Sequence, residues 1–193
     1  MEIIGWVALV VALVSMAAWR LTYTAARLDR LHGRVEGTMS ALDAQLVRRA
    51  EASLELVRSD ALDPTSALVL GGAATSSLEL ADEEAVTSEV RVHGISPERG
   101  EVESALSEAL EQILTPETIV DLRDRHAFGQ EGLEIVYRAG QRVQLSRRFY
   151  NDAVRDVRRV RAKRFVRWFR LAGHTAMPES VEFNDFVPEI RQV

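Results

Sequence analysis

Residues Ile3 to Trp19 read IIGWVALVVALVSMAAW, seventeen in a row without a charge. As a helix this run rises about 25 Å, close to the hydrocarbon thickness of a bilayer, about 30 Å. Leu21, Thr22 and Tyr23 extend the span if Arg20 snorkels to the headgroups. Trp6, Trp19 and Tyr23 stand where interfacial aromatics are expected. A cleaved signal peptide would carry positive charge before its apolar core. Here Glu2 is the sole charge ahead of the run, and Arg20, Arg27, Arg30 and Arg34 follow it. The charge order therefore predicts a retained single span in the plasma membrane, N-terminus outside and the bulk of the chain cytoplasmic.

The rest of the chain is ordinary in composition for a globular domain. With 193 residues, 47% hydrophobic and a net charge of −5, it has room for one core plus an appendage. There is no cysteine, which excludes disulfides, thiolate metal sites and cysteine nucleophiles.

Leu28, Leu31, Val35, Met39, Leu42 and Leu46 recur every three or four residues, the stripe of an amphipathic helix over about 24–59. No linker separates it from the span. Asp63-Pro64 marks its end. Ser66 to Ser77, with Gly71-Gly72, reads as a loop or weak helix, and Leu78 to Val92 as a short helix. His93 to Pro97 is a break. Val102, Leu106, Leu110 and Ile113 mark a further helix, ended by Thr115-Pro116, while 118–129 is ambiguous. Val136, Val143, Tyr150, Val154, Val157 and Val160 then trace a last long helix over about 130–171. The expected fold is all-α: a transmembrane anchor (1–23), an antiparallel bundle of three or four helices with long first and last members (24–176), and an acidic tail (177–193).

Two stretches carry a resemblance. Leu42-Asp43-Ala44-Gln45-Leu46-Val47-Arg48-Arg49-Ala50 resembles the first motif of the LemA family, an aliphatic residue, Asp, any residue, Gln-Leu, then a basic run. Ser146-Arg147-Arg148-Phe149-Tyr150-Asn151-Asp152-Ala153-Val154-Arg155-Asp156 resembles its second motif almost residue for residue. Phe165, Trp168, Phe169, Glu182 and Phe183 stand where the family has a C-terminal aromatic and acidic stretch. The resemblance covers most of 27–60 and 136–184. The chain departs from the family at Ala52-Ser53-Leu54-Glu55-Leu56, where members usually carry proline and asparagine, and across Pro64 to Thr115. The resemblance implies an N-out, C-in helical bundle and no reaction. It also implies a membrane zinc metalloprotease as a partner, since such genes often neighbour the family's.

Charge is distributed unevenly. Asp60 to Asp121 holds fourteen acidic residues against two basic, and Arg138 to Arg170 twelve basic against two acidic. Three partners fit the basic run: the acidic segment of the same bundle first, anionic lipid second, nucleic acid last. Its end, Lys163 to Arg170, interleaves aromatics with cations as interfacial helices do. The same spacing of Phe165, Trp168 and Phe169 also fits bundle core. Arg155, Arg158, Arg159, Arg161, Lys163, Arg164, Arg167, Trp168 and Phe169 are the expected contact surface.

Asn and Asp are disfavoured within helices, so Tyr150, Asn151 and Asp152 need partners there. A binding site at Phe149 to Asp152 is one reading; the preferred one is a polar layer fixing helix register, with Asp43 or Gln45 meeting Asn151 or Arg148. Four scattered histidines show no ligand spacing. Asp121, Asp124 and His126 read more readily as a cap or solvated face than as a cation site. No nucleophile, phosphate-loop or dinucleotide signature occurs, so neither cofactor nor catalysis is expected. The sequence reading is a membrane-anchored scaffold that binds a protein partner or its own copies. The alternative is a module whose basic helix binds anionic lipid.

Overall fold

The computed structural model describes residues 2–86, 94–125, 127–169, 172–173 and 175–189. It is all-helical, with no strand among the described residues. Helix α1 spans Glu2–Arg58 without interruption, about 86 Å at the usual rise. Thr22, Thr24, Thr38 and Ser40 turn their hydroxyls onto carbonyls four residues back, so residues that favour other conformations are accommodated inside the helix. The helix contains a stretch apolar and long enough to cross a membrane, and none of that stretch is buried. Burial starts at Leu28.

After α1 the chain reverses at Asp60, whose φ of 53° is left-handed, a conformation aspartate tolerates. α1 ends before Asp63-Pro64 as expected, and the same dipeptide also starts the next helix. The Asp63 carboxylate accepts from the amides of Thr65 and Ser66 at 3.0 and 3.1 Å, and Pro64 opens helix α2, Pro64–Val86, where a missing N–H costs nothing. Those bonds hold the exposed Asp63 carboxyl below its ordinary pKa, the Ser66 side-chain bond most of all. Gly71-Gly72 therefore lies inside a helix rather than a loop. Leu70, Ala74, Ser77 and Ala81 face inward, and the small side chains of Ala74, Ser77 and Ala81 permit close packing of α2. The short helix expected over 78–92 is the end of α2 as far as Val86; residues 87–93, with His93, lie outside the described residues.

Helix α3 is Pro97–Ile113, capped by Ser96 Oγ, which accepts from the Arg99 amide at 3.0 Å. Before it, Gly94 has φ +97°, and a Cβ there would lie 3.1 Å from the Tyr150 hydroxyl. Helix α4 is Pro116–Arg125 and α5 is Ala127–Arg161. The last long helix stops ten residues short of the expected Leu171, which lies outside the described residues. The Ala162 and Lys163 amides close on Arg158 and Val160, and α6, Arg164–Trp168, leaves at a new angle. The described residues thus form six helices, two of them short.

α1 and α5 pack antiparallel: Leu28 groups with Val160 at one end, and a Cβ on Gly132 would touch Leu56 at the other. Between these, Val35, Met39, Leu42 and Leu46 share a cluster with Val143, Tyr150, Val154 and Val157. α2, α3 and α4 close the far end around Leu56, Leu70, Leu106, Leu110, Leu122 and Leu133. Residues 175–189 then run back, extended, over α5 and α3.

Candidate functional site

The extended tail is held mainly through its backbone. Asn151 donates from Nδ2 to the Val181 carbonyl at 3.0 Å and accepts from the Val181 amide at 2.9 Å. One side chain thus reproduces the pairing a neighbouring strand would give. Arg161 donates to the Ala176 carbonyl, Arg158 to Pro178, Tyr150 to Glu179 and Gln144 to Asp185, all within 3.0 Å. Arg147 pairs with the Asp185 carboxylate at 2.8 Å. Phe183 lies between two guanidiniums, 5.5 Å from Arg147 and 6.0 Å from Arg49, within cation–π range. Burial raises the Tyr150 pKa, so its hydroxyl stays a donor. Gly140 allows the close approach of Val187, whose Cγ2 would lie 3.0 Å from an added Cβ.

Under the tail sits a buried ionic network. Glu103 accepts from Arg49 at 2.7 Å and from Arg99 at 2.8 Å, and all three side chains are inaccessible to solvent. Ser77 donates to Glu103 at 2.8 Å. Arg49 donates to Ser107 Oγ at 2.8 Å, and Ser107 also contacts the Asn184 carbonyl. Asp43 supplies a second carboxylate, 3.8 Å from Arg99. The network ties α1, α2, α3 and the tail together.

The expected register layer is thereby redistributed. Asn151 turns to the tail, not to α1, because the tail offers a backbone donor and acceptor at one residue. Asp43 faces Arg99, Gln45 Oε1 is buried without a hydrogen bond, Arg148 is exposed, and Asp152 pairs with Arg155 on its own helix. Of the polar residues in the two stretches that carry the LemA resemblance, Asp43, Arg49, Arg147, Tyr150 and Asn151 join the network or seat the tail, and Gln45, Arg148 and Asp152 do neither. Sequence reasoning missed Arg99, Glu103 and Ser107. The available signal was Arg99 itself, one of two cations in an acidic stretch and four residues before Glu103.

Among the described residues, the basic run's ion pairs go to Glu134, Asp152 and Asp156 of α5 itself and to Asp185 of the tail, not to the acidic segment, with Asp156 also 3.6 Å from Arg34 of α1. The acidic segment instead receives Arg49 from α1. Within α6, Val166 is buried against Leu28 and Val160, while Phe165, Trp168 and Phe169 face out. Trp168 is 85% and Phe169 54% exposed, their rings stacked at 5.9 Å. Lys163, Arg164 and Arg167 are exposed beside them, as are Arg155, Arg158 and Arg159, while Arg161 is half-buried.

His32 lies at this same end. Its Nε2 is buried without a hydrogen bond, and its pKa is lowered from 6.5, first by burial, then by Arg161, against weaker raising by Asp29 and Glu36. Because the folded state disfavours the proton, stability is full above about pH 6.5 and declines as pH falls below it. Thermal melts at pH 7.5 and 5 check this: the low-pH loss should shrink in His32→Gln.

Among the described residues, no three histidine or carboxylate side chains gather as a metal site would require; His126 lies outside them. No known protein family, curated protein or solved structure matches the chain.

Proposed function

We propose that this chain is a membrane-anchored scaffold of the LemA type, acting by binding rather than by catalysis. Its helical bundle stands at the cytoplasmic face, and its N-terminus lies outside. The observation that carries the reading is the continuity of α1. One helix supplies both the exposed apolar stretch and, from Leu28 onward, a face of the bundle core. An exposed surface of Ile3, Ile4, Trp6, Val7, Leu9, Val10, Val11, Leu13 and Val14 exceeds the apolar patch a soluble monomer tolerates, and lipid covers it. The absence of a linker makes the bundle a fixed projection of the span, suited to presenting one surface to a partner. Arginines after the span set the orientation by the positive-inside rule.

Crosslinking of the full-length protein in native membranes, followed by purification and identification of what is attached, tests the scaffold. The expected result is a homo-oligomer ladder or a stoichiometric membrane protein partner, with a membrane metalloprotease as the candidate the resemblance supplies. A clean monomer carrying anionic lipid alone would overturn the scaffold in favour of a lipid-binding module.

A further inference from the structure

We propose that α6 and the groove beside it form a docking surface for anionic phospholipid headgroups of the leaflet from which α1 emerges. This rests on the membrane-anchored reading of α1. Position is the first argument. Val166 packs on Leu28, and Leu28 lies five residues past Tyr23, about 7.5 Å of helix rise. The headgroup layer on each side of the hydrocarbon is about 5–7 Å deep. The bundle thus places α6 at the outer edge of the headgroup layer of the bilayer that α1 crosses.

Chemistry is the second. Lys163, at the N-cap of α6, and Arg164 and Arg167 on it are exposed, and Arg27 and Arg30 are exposed on α1 at the same height. Asp29 is the nearby opposing charge on α1, and Asp156 on α5 is already engaged by Arg34 and Arg159. Between α6 and the tail lies a groove of about 530 Å³, lined by Arg158, Arg161 and Arg167 together with the buried Val166 and the exposed Met177. Guanidiniums beside apolar side chains suit a phosphodiester with its glycerol and first methylenes. Arg158 and Arg161 are fixed there by their bonds to Pro178 and Ala176, so the groove is preformed. The stacked Trp168 and Phe169 are the side chains an interfacial helix buries among headgroups. This second contact would hold the bundle at a fixed tilt, which a single span cannot do.

The native tryptophans Trp6, Trp19 and Trp168 make the test separable. The full-length W6F/W19F variant reports Trp168 alone, and W168F reports the span. Each is reconstituted into vesicles of bromine-labelled phosphatidylcholine with or without phosphatidylglycerol, and fluorescence quenching is read. Trp168 is expected to be quenched when phosphatidylglycerol is present and largely unquenched without it. Each cation at an anionic surface is worth about fivefold in partition, so adding R164E and R167E should weaken the contact by more than about twentyfold. Quenching of Trp6 and Trp19 without quenching of Trp168 overturns the docking surface and leaves the anchor standing. Equal Trp168 quenching in neutral vesicles removes the anionic specificity and also overturns it. If Trp6 and Trp19 are themselves unquenched, the anchor fails and the proposal with it.

Discussion

Replacing Glu103 with glutamine is expected to lower the unfolding free energy by about 3–5 kcal/mol. The substitution keeps the shape of the side chain and removes the one fully buried negative charge among the described residues. Arg49 and Arg99, both inaccessible to solvent, are then left as buried cations, with the half-exposed Asp43 carboxylate 3.8 Å from Arg99. Attraction in a low-dielectric interior no longer offsets their desolvation. By comparison, Ser77→Ala removes a single bond to Glu103 and should cost about 1 kcal/mol. Urea unfolding of the full chain in detergent, followed by circular dichroism, measures both. A Glu103→Gln loss no larger than that of Ser77→Ala would contradict the burial of the network.

Asn151→Leu is expected to free the tail while leaving the α1–α5 core standing. Leucine matches asparagine roughly in size but can neither donate to nor accept from Val181. The Val181 side chain is buried and its N–H and C=O would both lose their partner. Two unsatisfied groups at about 1–2 kcal/mol each correspond to roughly 30- to 1,000-fold faster amide exchange over 178–186. Exchange in the middle of α5 should change far less. Unaltered exchange in the tail would show that the Arg147, Arg158, Arg161 and Tyr150 contacts suffice without Asn151.

What the sequence disclosed follows from where its periodicity was strong. The stripe from Leu28 to Leu46 and that from Val136 to Val160 each line one helix face with large apolar residues, and the antiparallel α1–α5 pair was legible from them. The helix α2 was obscured because its inward residues include Ala74, Ser77 and Ala81, too small and polar to register as a stripe, while Leu68 and Val69 point outward. The break at Ala162-Lys163 has no local cause, since both residues favour helix; the packing of Val166 on Leu28 supplies the reason, and it is tertiary. The tail was read as an appendage because extended backbone held by side chains has no period. Asn151 stands out in the sequence as an asparagine within a helix, but its partner stands thirty residues downstream in the tail and not on α1. Arg99 and Glu103 sit four residues apart on α3, a spacing ordinary on any solvated helix. Only the convergence of α1, α2 and the tail around them makes the pair a buried one.

The central claim is that α1 carries the bundle from a membrane span to the cytoplasmic face. The chain has no cysteine, so a single introduced thiol reports its own location. One variant carries a cysteine ahead of Met1; the other is Ser76→Cys, at an exposed position of α2. Both are treated with a membrane-impermeant maleimide in intact and in permeabilised cells, and the membranes are then washed with alkaline carbonate. The account expects the N-terminal thiol to react in intact cells, Ser76→Cys to react only after permeabilisation, and both proteins to stay in the membrane. Labelling of Ser76→Cys in intact cells, or release of the chain by carbonate, would contradict it.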